Sequence, residues 1–199
     1  MKKSIFIILS VLAISLQGLM AQDAGKQLDD ARSAYENGNL QETRMALQQA
    51  IHDLDLAIGR EILALLPASL EGMQKNEEED NVTSAGAMGL FVTRTYKASE
   101  EDKSISVEII GDSPLMSGVN AILSLPIFPG DENQKRIRIG NRRALMQKSQ
   151  DDTGITSWDV SLPLGSTLLT FKCHGIADED AVTKMVSSLP IDDIARLTR

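Results

Sequence analysis

The densest concentration of chemistry in this sequence is basic. Lys135, Arg136, Arg138, Arg142, Arg143 and Lys148 fall within the stretch 135–148, which contains no acid. The chain as a whole is acidic, with 28 carboxylates against 20 lysines and arginines and a net charge of −8. A local cationic run in an acidic chain needs its own explanation. Arg136 and Arg138 alternate with Ile137 and Ile139, the period of a strand, and Gly140-Asn141 reads as a two-residue hairpin turn before a returning strand. With the isoleucines inward, Arg136 and Arg138 face water and the turn carries Arg142 and Arg143 back toward them. Guanidinium groups so placed can hold a carboxylate, sulfate or phosphate through paired hydrogen bonds. The competing use is a solvated ribbon whose arginines pair with acids or protect a sheet edge.

Other reactive side chains are sparse. The two histidines, His52 and His174, sit far apart, and neither has a second histidine at helical spacing to complete a zinc pair. There is no Gly-x-Ser-x-Gly elbow and no phosphate-binding glycine loop; Ser84-Ala85-Gly86-Ala87-Met88-Gly89 lacks the lysine and the spacing. No cofactor and no metal is implied. The lone Cys173 shares strand parity with Leu169 and Phe171, an apolar face, and reads as a buried structural thiol. Trp158 reads as core. The net negative charge argues against general nucleic-acid binding, which phosphate contacts dominate.

The N-terminus has the layout of an export signal. Lys2 and Lys3 precede an apolar run, Ile5–Leu16, and Ala21 offers a small residue before Gln22. Residues 1–21 are therefore expected to be removed on export, giving a periplasmic or secreted product. The interruptions at Ser10, Ser15, Gln17 and Gly18 argue against a retained span, and Gln22 is not the cysteine a lipid anchor requires. A single cysteine excludes an internal disulfide, so packing must hold the mature chain together.

Residues 22–67 read as two helices. Leu28, Ala31 and Tyr35 share a face, and Asn37-Gly38-Asn39 is a stop and turn. Leu47, Ala50, Ile51, Leu54, Ile58, Ile62 and Leu65 then recur at steps of three and four until Pro67, a rod of about 40 Å. Gly59 would either bend this helix or let it approach a neighbour closely. The run Ala34-Tyr35-Glu36-Asn37-Gly38-Asn39-Leu40-Gln41-Glu42-Thr43, with Leu47 and Ala50, resembles the centre of a tetratricopeptide repeat; Thr43 stands where that family prefers alanine. The resemblance covers about one hairpin, and stacked solenoids need roughly three units. It implies a single helical hairpin whose apolar face must lie against something else.

Residues 68–85, with the run Glu77-Glu78-Glu79-Asp80, read as an acidic polar linker. Contiguous acids do not make a calcium loop, which spaces its ligands around a glycine. Asn81-Val82-Thr83 has the form of a glycosylation sequon. Residues 86–199 read as an α+β domain. Strands from Met88 and around Ile105–Ile109 form a hairpin. A helix begins at Asp112-Ser113-Pro114 and carries Leu115, Val119, Ile122 and Leu123 on its apolar face. Four further strands follow, and a helix capped by Asp178 closes the domain. The expected architecture is an N-terminal helical hairpin followed by an antiparallel sheet of about six strands covered by helices. This order loosely resembles the PsbP-like α/β sandwich, which implies a non-catalytic protein that works by binding partners.

These features point first to a non-catalytic secreted or periplasmic interaction protein, its partner another protein or a second copy. The alternative is a binding module for a small anionic ligand or acidic glycan, carried by Arg136, Arg138, Arg142 and Arg143. A further alternative is a hydrolase with an unrecognised carboxylate site.

Overall fold

The computed structural model describes residues 24–84, 89–98, 103–125 and 133–198. The expected export signal at 1–21 lies outside these residues, as do the polar turn at 99–102 and the Pro129-Gly130-Asp131 loop. The chain divides into two compact units, one formed by the residues up to Ala57 with Ser84–Gly86, the other by Ile58–Thr83 and Ala87–Arg199.

The expected helical hairpin is present; the first unit holds its first helix and the second helix as far as Ala57, and the rest of the second helix belongs to the other unit. Helix α1 covers 24–36, and three residues separate it from α2 (Leu40–Leu65). The turn closes as a Schellman motif: Asn39 N–H donates to Ala34 O and Gly38 N–H to Tyr35 O. Gly38 adopts φ 76°, a left-handed conformation that other residues reach only with strain. Asn39 then starts α2 by accepting from the Glu42 amide at 3.3 Å while its own amide donates to the Glu42 carboxylate at 2.7 Å. The helices meet through small residues, with Ala31 and Ala34 of α1 and Ala50 of α2 buried.

The second unit is built on one antiparallel sheet of eight strands, two more than the sequence suggests. They are β1 (Ser69–Leu70), β2 (Met73–Ser84), β3 (Leu90–Lys97), β4 (Ser104–Ile110), β5 (Gln134–Ile139), β6 (Arg142–Gln150), β7 (Thr156–Leu164) and β8 (Thr167–His174). Their spatial order is β1-β2-β3-β4-β8-β7-β6-β5. The extra strands occupy the segment expected to be a linker, and the acidic run lies inside β2. Its charges are tolerated because cations meet them. Lys97 pairs with Glu79, Lys75 with Glu77 and Arg94 with Asp80. β1 is only two residues long, so most of β2 is sheet edge, where charged side chains are at home.

One sheet face is the core. Val92, Tyr96, Ile105, Val107, Ile109, Met146, Val160, Leu162, Leu169 and Phe171 are buried there with Cys173 and Trp158. Against them pack Ile62 and Leu66 at the end of α2, Val182, Met185 and Val186 of α4 (Glu179–Ser187), and Ile194 and Ala195 of α5 (Ile191–Leu197). Asp178 caps α4 as expected, accepting from the Asp180 amide. Gly59 answers the question its position raised. A Cβ there would stand 2.4 Å from Val82 Cγ1 and 3.2 Å from Val92 Cγ2, so the glycine permits close approach of helix to sheet. Helix α3 (Met116–Ser124) packs over β6 and β7. It starts two residues later than Asp112-Ser113-Pro114 suggests and has no side-chain cap; the Ser113 hydroxyl instead accepts from Leu115 N–H in the preceding turn. Leu115, expected on the apolar face, is exposed, while Met116 and Leu123 are buried.

Candidate functional site

Two surfaces carry unspent chemistry. The first is on the helical unit. Leu40, Leu47, Ile51 and Leu54 lie along one stripe of α2, at steps of seven, four and three residues, and Leu28 and Tyr35 lie on α1. All six are between 43 and 66% exposed. The same stripe continues to Ile58 and Ile62, and Ile62 is wholly buried in the sheet unit's core. A helix pays no penalty for exposing one leucine. Four large apolar side chains exposed along one stripe of a single helix make contiguous apolar surface of the kind that marks a binding face. A groove between the two helices, lined by Gln27, Asp30, Asn37, Glu42 and Gln49 with Met45, is polar by contrast.

The second surface is the arginine hairpin. The turn at Gly140-Asn141 pairs Ile139 with Arg142, Arg138 with Arg143 and Arg136 with Leu145. Paired residues share a face, so Arg136, Arg138 and Arg143 lie together on the face opposite the core. Arg142 lies on the core side of the sheet with Ile139 and reaches α5, where its Nη2 donates to Asp192 Oδ1 at 2.9 Å. The four arginines therefore do not form one cluster, contrary to the reading that gathered them all beside the turn. Arg138 and Arg143 stand directly opposite each other, a like-charge pair that would repel. Arg143 Nη1 donates to Leu123 O near the C-terminus of α3, at 3.5 Å, where helix carbonyls favour a cation. At the sheet's end Arg142 and Arg143 both line a shallow, open depression of about 450 Å³ with Asn120, Leu123, Ser124 and Pro163.

The rest of that outer face is polar and ordered by register. Lys172 of β8 lies between Asp159 of β7 and Ser106 of β4, and its ammonium donates to both Glu108 oxygens at 2.8 and 2.9 Å. Partial burial raises the Asp159 pKa; Lys172 opposes this and the Glu108 charge adds to it. His174 pairs with Ser157, whose hydroxyl lies 2.9 Å from His174 Nδ1. Ser157 went unnoticed in the sequence, yet the turn joining β7 to β8 sets this register and could have identified it. His52 lies on α2, in the helical unit. Cys173 is buried among apolar neighbours, which push its thiol up to about 12. Trp158 is buried in the core; its indole N–H donates to Ile176 O, and Lys148 lies 5.5 Å from its ring centre. Among the described residues no three His, Cys, Asp or Glu side chains gather as metal ligands, and no helix is long and apolar enough to cross a membrane.

No protein-family model, curated protein or solved structure matches the chain, so its two family resemblances rest on its own residues and element order alone.

Proposed function

We propose that this chain is a non-catalytic interaction protein acting in the periplasm or outside the cell, and that its helical hairpin is the docking element. The observation that carries the reading is the exposed apolar stripe of α2, with Leu40, Leu47, Ile51 and Leu54 on one side of a helix. A two-helix unit cannot cover such a stripe by itself. The signal-like layout of residues 1–21 supports the compartment.

The test is cross-linked capture from the envelope and medium of the native host, with the wild-type chain and with Ile51→Glu in parallel. Ile51 is half exposed, so the substitution leaves the fold intact. A cross-linked species lost in the variant supports docking through α2. Identical species for both chains, together with wild-type protein that is monomeric in solution, would overturn it. Sequencing the N-terminus of the native protein tests the compartment: a start at Gln22 supports export, and a start at Met1 overturns it.

A second reading is favoured by the open depression that Arg142 and Arg143 both line: a site for a small oxyanion such as a carboxylate or phosphate. Titration with inorganic phosphate should show salt-sensitive binding that Arg143→Ala weakens about tenfold. Equal affinity in the variant would remove this reading.

A further inference from the structure

We infer that Arg138 and Arg143 together hold a tetrahedral oxyanion, a phosphate or sulfate group that is free or carried as a monoester. This rests on the oxyanion reading above and specifies which guanidiniums grip the ion and how many oxygens it must offer.

The first argument is register. Arg138 of β5 is paired with Arg143 of β6, so both start from one face with Cβ atoms about 4.5–5.5 Å apart. Both side chains are exposed. Like charges so placed repel, and among the described residues neither meets a carboxylate; the hydrogen bond that either makes is that of Arg143 Nη1 to Leu123 O. That bond leaves the Nε–Nη2 edge of Arg143 as a two-point fork. Arg142 is held by Asp192 at 2.9 Å, so the charge that acts with Arg143 is that of Arg138. Protection of a sheet edge accounts for Arg138, because β5 is an edge strand, but not for Arg143, because β6 is paired on both sides.

The second argument is distance from acids. On this face Glu108 is bound by Lys172. Asp159 lies four residues along β7 from Pro163, which borders the depression with Arg143. That is about 13 Å of strand, beyond the Debye length of about 8 Å at physiological salt. The third is the count of oxygens. One guanidinium fork engages both oxygens of a carboxylate. Two forks side by side suit an anion with three or more free oxygens and a charge of about −2. Phosphate, sulfate and their monoesters meet both conditions; a carboxylate and a phosphodiester meet neither.

The experiment is calorimetric titration of the purified full chain with sulfate, inorganic phosphate, methyl phosphate, dimethyl phosphate and acetate. It is run at constant ionic strength and about pH 8, where the monoester is a dianion. The first three anions should bind saturably and about tenfold more tightly than the last two. Arg138→Ala and Arg143→Ala should each weaken sulfate binding about tenfold. Arg138→Lys should lose less, because an ammonium keeps the charge without the fork. Without ligand, Arg138→Ala should unfold at a temperature no lower than wild type, since it removes one member of a repelling pair. Methyl phosphate bound as tightly as inorganic phosphate supports an esterified group as the source, and weaker binding supports the free ion. Sulfate binding unchanged in Arg138→Ala, or acetate bound as tightly as sulfate, overturns the pair and leaves the oxyanion reading standing on Arg143. Absence of saturable binding for all five anions overturns both.

Discussion

The Arg94 guanidinium holds the Asp80 carboxylate at two points, Nε to Oδ1 at 2.9 Å and Nη2 to Oδ2 at 2.5 Å. Its remaining nitrogen, Nη1, donates to Leu63 O at 2.7 Å and to Leu66 O at 3.2 Å. One buried cation thus ties β3 to β2 and satisfies carbonyls at the end of α2 that the helix itself cannot bond. Asp80 raises the Arg94 pKa further, so the group stays charged. Removing one partner of a buried pair leaves an uncompensated charge. Asp80→Ala should therefore lower stability by about 3 kcal/mol. Adding Arg94→Met to that variant should recover part of the loss, since the orphaned charge goes with it. Denaturant unfolding of the two variants checks the order.

Gly59 makes the next case. In an exposed helix interior, Gly→Ala gains up to about 1 kcal/mol. Here the new methyl would meet Val82, Leu90 and Val92, with the nearest atom at 2.4 Å. Overpacking costs about 1–3 kcal/mol, so the sign should reverse and Gly59→Ala should destabilise. Gly59→Val should be worse. A midpoint shift in urea, read for both, settles it.

Alkaline pH should unfold this protein earlier than its composition suggests. Burial pushes Tyr96 from 10.0 up to about 12 and Cys173 from 9.0 up to about 12. Both folded-state values lie above the unfolded ones, so the folded chain retains protons that the unfolded chain releases. Their contribution is complete below about pH 9 and is lost as pH rises from there through 12. For Tyr96 alone it is of order 2 kcal/mol. Tyr96→Phe should flatten stability between about pH 10 and 12, while costing about 1 kcal/mol at neutral pH through loss of the hydroxyl's hydrogen bond to Pro67 O. Unfolding curves at stepped pH values test both parts.

What could be read from the sequence follows from where the stabilising partners lie. The strands β3 to β8 carry their own signal, because alternation of Ile105, Val107 and Ile109, or of Leu169, Phe171 and Cys173, mirrors burial on one face. Strand β2 carries none. Its apolar residues are only Met73 and Val82, and the partners that make Glu79 and Asp80 acceptable, Lys97 and Arg94, lie on β3. The arginine hairpin was half legible. Its turn fixes the pairing, and the parity of Ile139 with Arg142 separates Arg142 from the other three; its bond to Asp192 spans 50 positions and leaves no local trace. The α2 stripe was fully legible as a spacing. Which of its residues are covered depends on the sheet, and no local pattern reveals that.

That stripe supplies the sharpest contrast between folding and function. Ile51 and Ile62 are the same residue type in one helix, yet Ile51 is 52% exposed and Ile62 is 0% exposed. Truncating Ile62 removes buried methyl groups and leaves a cavity in the core, which should cost about 2–5 kcal/mol for Ile62→Ala. Truncating Ile51 removes surface already half in water, and alanine improves helix propensity by a few tenths of a kcal/mol. Ile51→Ala should therefore change the stability of the purified chain by less than about 0.5 kcal/mol. In cross-linked capture from the native host it should weaken the species that the wild-type chain retains, because there the exposed side chain has a partner. A large cost for Ile51→Ala in the unfolding of the purified chain would show that Ile51 serves the fold and not a partner.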